Sequence, residues 1–351
     1  MSDPSLVKLP YAAMAYVANN DTKELLVSTS EDGENWSAGH STGQFISGTP
    51  VLAAFENQLF LLFHPKHNPK ILMYCMARNT INWSPGHAMN WSPAHLVPSR
   101  ASEDGSLAGV QSPALVAFKG PEPGDQLHLS YAAEYDLIQC RTVRVASRDR
   151  QEFDFLHPYT ITIEDKTKKD GISHRFSHGR RAVAVLDDKL IMAFVRNNDD
   201  DTLSYATSAD VHSMSTWQSP HNIAREVSDP AIVVLNNRKL VNNRWERYRT
   251  PVVAWRYNNG GNELGVATMG DDGKVRDFGN MSDLSRYGPA LTTLDFVLIL
   301  AFVAADQSND LLVCTSLDGV KWSPHRRTGL SSSTTPALAT SYFIHSNPNR
   351  R

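Results

Sequence analysis

Pro289-Ala290-Leu291-Thr292-Thr293-Leu294 opens a short run in which a proline precedes alternating apolar positions, and the pattern returns along the whole chain. It stands as Pro50-Val51-Leu52-Ala53-Ala54-Phe55, Pro113-Ala114-Leu115-Val116-Ala117-Phe118, Pro230-Ala231-Ile232-Val233-Val234-Leu235 and Pro336-Ala337-Leu338-Ala339-Thr340, with a degenerate copy at Arg181-Ala182-Val183-Ala184-Val185-Leu186. Successive copies lie 47 to 68 residues apart, and the step from the last copy through the two termini to the first is of comparable size. One unit repeated at such a spacing is the sequence form of a closed or stacked repeat architecture.

Behind each copy comes a second run ending in an aromatic residue: Leu59 to Phe63, Leu127 to Tyr131, Leu190 to Phe194, Val252 to Trp255, Leu298 to Phe302, and Ala12 to Tyr16 at the N-terminus. A third run follows, as in Leu25-Leu26-Val27 and Leu311-Leu312-Val313. Short runs rich in β-branched and aromatic residues, separated by Asn, Asp and Gly clusters, read as strands and turns. No window of ten residues carries a 3.6-residue apolar period, so the chain reads as all-β. Each unit then closes on a device seen clearly in Ser30-Glu31-Asp32-Gly33-Glu34-Asn35-Trp36 and Ser316-Leu317-Asp318-Gly319-Val320-Lys321-Trp322. The Asp carboxylate accepts backbone N–H groups within the turn, Gly supplies positive φ, and the aromatic plugs the sheet edge. Looser versions end in Trp83, Phe153, Trp217 and Phe278.

Six units of four strands predict a six-bladed β-propeller in a single domain, residues 1–351. The C-terminal copy at Pro336 is expected to supply the innermost strand of the last blade, whose outer strands come from residues 11 to 40. That blade is thus closed by N- and C-terminal strands, which removes an open edge.

Composition bounds the function. Among 351 residues, 34 Lys and Arg stand against 37 Asp and Glu, a formal net charge of −3, with pI ≈ 6.5. That balance argues against a dedicated nucleic-acid or anionic-membrane binder. Three cysteines exclude a disulfide framework. Cys75, Cys140 and Cys314 read as core thiols. The N-terminus lacks a secretory pattern, and the most apolar stretch, Ala290 to Ala305, is too short and polar to span a bilayer. A soluble, cytoplasmic protein is expected. There is no phosphate-cradling glycine loop, dinucleotide fingerprint, nucleophile elbow or zinc signature, so no cofactor and no metal are expected.

The loops leading into the innermost strands and those between the second and third strands share one mouth of the channel. Their structural positions repeat, whereas their polar groups do not: Val17, His64, Ala132, Val195, Arg256 and Val303 follow the aromatic strand ends. Unlike groups converging on one axis predict a single asymmetric pocket. Its densest cluster is His174, Arg175, His178, Arg180 and Arg181, cationic donors with a histidine able to move a proton near neutral pH. A solvated basic loop is the alternative. His174, Arg175, His178, Arg286 and Tyr287 are the candidate catalytic residues. Phe45, His64, Trp91, Gln111, Tyr135, Arg181, Arg196, Asp229, Arg256 and Tyr257 are the candidate substrate-binding residues. Turn capping explains Asp229 before Pro230 equally well. Trp83 reads as a blade plug, which leaves Trp91 as the ligand-wall candidate. The basic run from Arg238 to Arg249 reads as solvated.

The Pro-Ala-Leu strand start, the aromatic strand end and Ser-x-Asp-Gly-x-x-Trp cover almost the whole chain and resemble the sialidase-like and fungal-lectin-like six-bladed propellers. The hairpin device resembles their Asp-box, one residue shorter than usual. The arginine triad and Tyr–Glu pair of a sialidase cannot be placed here, nor can the repeated Arg, Glu and Trp triad of fucose-binding propellers. A lectin-like scaffold with one individual pocket also resembles the propeller-type hetero-Diels–Alderases of fungal tropolone–sesquiterpenoid pathways. That likeness implies a cofactor-free cycloaddition of small-molecule substrates, in which positioning supplies up to about 7–11 kcal/mol and Arg or His donors polarise the oxygens. The alternative is a glycan-binding lectin, with a protein-interaction surface as a third reading.

Overall fold

Consecutive apolar residues bury both faces of a strand, which requires a sheet covered on both sides, and the second-run strands show this directly. In the strand Gln58–Pro65, Leu59, Leu61 and Phe63 enter one apolar cluster, while Phe60 and Leu62 enter the next. The computed structural model describes residues 6–55, 58–78, 87–98, 111–119, 125–132, 138–147, 152–155, 159–160, 162–163, 181–187, 189–196, 200–208, 216–218, 220–241, 244–270 and 273–346. These residues form an all-β propeller, with no helix among them.

Three repeat units form four-stranded antiparallel sheets of their own. They are built from Arg181–Leu186, Lys189–Val195, Leu203–Thr207 and His221–Ala224; from Val227–Val241, Arg244–Tyr257, Glu263–Met269 and Val275–Leu284; and from Ala290–Leu294, Val297–Val303, Asp310–Ser316 and Arg326–Ser331. A fourth unit pairs Gln111–Lys119, Asp125–Ala132, Ile138–Ser147 and Glu152–Phe155, with Tyr159–Thr160 also on Ile138–Ser147. The remaining two units share one seven-stranded sheet, which departs from six separate blades. They are joined by His40–Phe55, which pairs with Glu24–Ser30 at its start and with Gln58–Pro65 at its end. A short parallel pair, Thr162–Ile163 with Thr216–Trp217, lies outside the repeat pattern.

The terminal strands meet as the repeat arithmetic requires: Ala337–Ser346 pairs antiparallel with Leu6–Val17, including Ala12 with Thr340 and Ala15 with Ala337. Apolar clusters join each unit to the next around the molecule. The cluster of Ala290, Ile299 and Leu311 with Met14, Tyr16 and Leu338 completes the circuit. Each fully buried Leu or Phe contributes about 1.5–3 kcal/mol relative to exposure, so the contacts between sheets dominate the stability. Cys75, Cys140 and Cys314 are buried thiols. Burial pushes the thiols of Cys75 and Cys314 up to about 12, and nearby Asp283 adds to the effect at Cys314.

The closing hairpins behave as their residues dictate. Asp32 Oδ1 accepts the N–H groups of Glu34 and Asn35 at 2.8 and 2.7 Å, and Ser30 Oγ accepts that of Gly33 at 2.8 Å. Asp318 and Ser316 repeat this with Val320, Lys321 and Gly319. Gly33 and Gly319 hold φ of 79° and 78°, a conformation that strains any residue with a Cβ. Burial works against the Asp32 carboxylate, but hydrogen bonds from Asn35, Glu34 and Ser30 outweigh it and bring its pKa down to about 2.

Two plug expectations change. The hydroxyls that follow the plugging tryptophans accept a backbone N–H from the third strand: Ser37 from Thr29 at 3.0 Å and Ser323 from Thr315 at 3.0 Å. Ser92 does the same for Met76 at 3.1 Å, and Trp91 bridges Ala77 and packs on the adjoining core. Trp91 therefore takes the plug position expected for Trp83, which lies outside the described residues. Phe278, also expected as a plug, is 48% exposed and leans on Trp255 at 5.5 Å between ring centroids.

Candidate functional site

The strand starts that carry the repeat also line the axis. A cavity of about 160 Å³ is bounded by Pro50, Pro113, Arg181, Pro230, Pro289 and Pro336 together with the small apolar residues that follow them. Arg181, 4% exposed, is the one charged side chain among the described residues of this wall. It stands where the other copies carry proline.

A larger opening of about 530 Å³ lies between two neighbouring sheets. One wall is the outer strand Val275–Leu284, contributing Gly279, Asn280, Met281 and Asp283; the other is the segment after the closing hairpin, contributing Val320, Trp322, Ser323 and His325. Register explains why it is open. Val266 pairs with Gly279, and one sheet further on Val313 pairs with Arg326. Within the hairpins, Val320 corresponds to Glu34. At the next interface, Arg326 Nη1 and Glu34 Oε2 meet at 2.8 Å and bridge the gap. At this one, Gly279 and Val320 occupy those positions and no bridge forms.

The groove holds paired donors and acceptors beside apolar surface. His325 Nδ1 and Asp283 Oδ1 are 2.5 Å apart. With Nδ1 held by the carboxylate, Nε2 is the ring nitrogen left for a ligand. Asn280 Oδ1 accepts the Tyr257 hydroxyl at 3.3 Å, which leaves its amide N–H groups as donors. Burial raises the Tyr257 pKa, so this phenol stays a proton donor. The indole N–H of Trp322 is spent on Gly319 O at 3.3 Å.

Those of the residues expected at the mouth that the structure describes are dispersed. His174, Arg175, His178, Arg180 and Tyr135 lie outside the described residues, as does the side chain of Gln111. Arg286 is exposed, donates to Asn309 Oδ1 at 2.8 Å and sits 5.8 Å above the Tyr287 ring; Tyr287 packs against the core of the adjoining sheet. Arg256 is half-buried and donates to three neutral acceptors, Asn262 at 2.8 Å and Ser228 and Asn258 at 3.1 Å. Tyr257 stands edge-on to Trp255 at 5.9 Å. His64 is half-buried with Nδ1 2.7 Å from Ile71 O; burial lowers its pKa and that hydrogen bond partly offsets the effect. Phe45 is 48% exposed, and Arg196 is half-buried. Asp229 adopts φ 49° and packs closely on Gly288, where a Cβ would lie 2.3 Å from its own; it sits within the strand Val227–Val241, at the register shift between Ser228 and Ala231. Of the whole expected set, Arg181 reaches the axial cavity and Tyr257 supports the groove through Asn280. The groove itself was missed, although Val320 in place of Glu34 within an otherwise matching hairpin is a signal that sequence comparison within the chain contains.

No family model matches the chain, and no curated protein matches it. Solved structures do. The chain is similar to the SapL1 lectin in complex with alpha methyl fucoside, at 11% identity over 92% of this chain and 96% of that one, with a TM-score of 0.53. It is also similar to the Hadza microbial sialidase Hz136, at 14% identity over 93% of this chain and 74% of that one, with a TM-score of 0.53. At such identities the likeness is one of fold.

Proposed function

We propose that this chain is a six-bladed, lectin-like propeller that binds a small glycan in the groove between Val275–Leu284 and the Val320–His325 segment. The carrying observation is that opening. At about 530 Å³ it falls within the roughly 300–1,000 Å³ of ordinary ligand sites, whereas the axial cavity of about 160 Å³ falls below that range. A saccharide presents hydroxyls that need donors and acceptors together with an apolar ring face. Asn280, Asp283 and His325 supply the first; Met281, Val320 and the Trp322 ring supply the second.

A cycloaddition between a terpenoid and a tropolone-type partner requires room for two sizeable molecules, which the axial cavity lacks among the described residues. The glycan reading therefore replaces the cyclase as the better-supported one. Fold likeness to a lectin with a bound fucoside makes methyl fucoside the first probe and lends no residue. Screening a glycan array and titrating the hits by calorimetry tests the proposal. One site per chain is expected, weakened at least tenfold by His325→Ala or Asn280→Ala with the melting temperature little changed. Several equivalent sites per chain, or undiminished binding in both variants, overturns it.

A further inference from the structure

The axial cavity carries two polar features in a wall that its repeat makes apolar. The innermost strands Ala337–Ser346, His40–Phe55, Gln111–Lys119, Arg181–Leu186, Val227–Val241 and Ala290–Leu294 neighbour one another in that order and return to the first. They surround the cavity of about 160 Å³, whose described wall consists of Pro, Ala, Val, Leu and Ile apart from Arg181, Thr49 and Thr335. Arg181 is 4% exposed and stands where the other copies place proline. Thr335, just before Pro336, is equally buried, and its Oγ1 has no hydrogen-bond partner among the described residues. It leads into the strand that lies three steps from Arg181–Leu186 in either direction round the ring. Arg181 and Thr335 therefore stand on opposite sides of the cavity.

A buried hydroxyl left without a partner costs stability unless water or a ligand completes it. A guanidinium among low-dielectric walls attracts an anion more strongly than it would in water. We infer that the axial cavity binds a small monocarboxylate with a compact apolar body of about the size of benzoate, its carboxylate on Arg181 and a polar substituent at its far end on Thr335. Volume and charge select this class. The cavity is too small for the saccharide of the groove, but it matches the roughly 150 Å³ of an apolar cavity that holds benzene. Chloride would leave most of the apolar wall without contacts. A dianion such as phosphate would bring a second charge that no described side chain of the wall compensates. A guanidinium takes a carboxylate through two parallel N–H···O bonds, and the Pro, Ala, Val and Leu side chains cover the hydrocarbon. This site is independent of the groove.

Calorimetry on the full chain at neutral pH compares benzoate, 4-hydroxybenzoate, neutral benzyl alcohol and inorganic phosphate, in the wild type, Arg181→Met and Thr335→Val. Both carboxylates are expected to bind at one site per chain, 4-hydroxybenzoate the tighter, with phosphate silent. Arg181→Met should weaken both at least tenfold while changing benzyl alcohol less than threefold. Thr335→Val should abolish the preference for 4-hydroxybenzoate and leave benzoate within threefold. It should also leave the melting temperature of the unliganded protein unchanged or higher, because it removes a buried hydroxyl that has no partner. Crystals of the wild type soaked with 4-bromobenzoate decide the matter if Arg181→Met does not fold, with bromine expected in the axial cavity on the Thr335 side. Groove ligands should bind both variants as before. Failure of both carboxylates to bind at millimolar concentration, unchanged affinity in a folded Arg181→Met, or phosphate binding as tightly as benzoate overturns the inference. So does a preference for 4-hydroxybenzoate that survives Thr335→Val, or bromine found only outside the cavity.

Discussion

Rebuilding the missing bridge across the groove is the sharpest test of where ligand binds. The change is Gly279→Arg with Val320→Glu, which copies the Arg326–Glu34 pair of the next interface. The backbone permits it: a Cβ at Gly279 would meet only Val320 O, at 3.9 Å, and Val320 is 41% exposed. The natural pair has side chains 59% and 35% exposed, so the copied one contributes at most about 1 kcal/mol to stability. Binding should respond far more, because the new side chains fill the space between Asn280 and His325. A loss of at least tenfold is expected, about 1.4 kcal/mol or more, read by calorimetry with the best array ligand. Gly279→Arg alone should weaken binding by less than the pair does, since a lone arginine is free to swing outward. A folded double variant that binds within twofold of the wild type refutes the groove as the site. A stability loss above about 3 kcal/mol refutes the register match between the two interfaces.

Three further outcomes follow from the same structure. His128 is fully buried and desolvation pushes its pKa down to about 3; because the unfolded histidine takes its proton first, stability is intact above about pH 6.5 and falls as pH drops toward 3. The expected slope is up to about 1.4 kcal/mol per pH unit from this group, and His128→Leu should flatten that part of a denaturant-midpoint profile; an unchanged profile would refute it. Gly33→Ala should cost about 1–3 kcal/mol in chemical denaturation, since it adds a Cβ 2.6 Å from Ile299 Cδ1 to the strain of positive φ. Gly43→Ala shares the positive φ with nothing within 4 Å and should cost less; equal losses would remove the packing component. Trp91→Ala should lower stability by about 2–4 kcal/mol while leaving ligand affinity intact, as a plug does; a loss of affinity without a loss of stability would restore it as a ligand wall.

The repeat was readable because its signals are local. A proline before alternating apolar residues, an aromatic strand end and an Asp-Gly hairpin each fix their own few residues through backbone conformation and period-two burial. The N- and C-terminal strand pairing followed from spacing alone. Trp91 follows a longer connection than the other plugging tryptophans have, and the hydrogen bond that Met76 N–H donates to Ser92 Oγ identifies its slot.

The groove belongs to the tertiary structure. Asp283 and His325 are 42 residues apart, and nothing in either local pattern announces the partner. The strand periods determined which faces are buried and how the ring closes. Which side chains confront one another across two sheets, and so where a bridge is missing and a cavity remains, depends on lateral packing between units. Only the folded ring sets that packing, because each sheet's outer edge finds its neighbour in space and not in sequence.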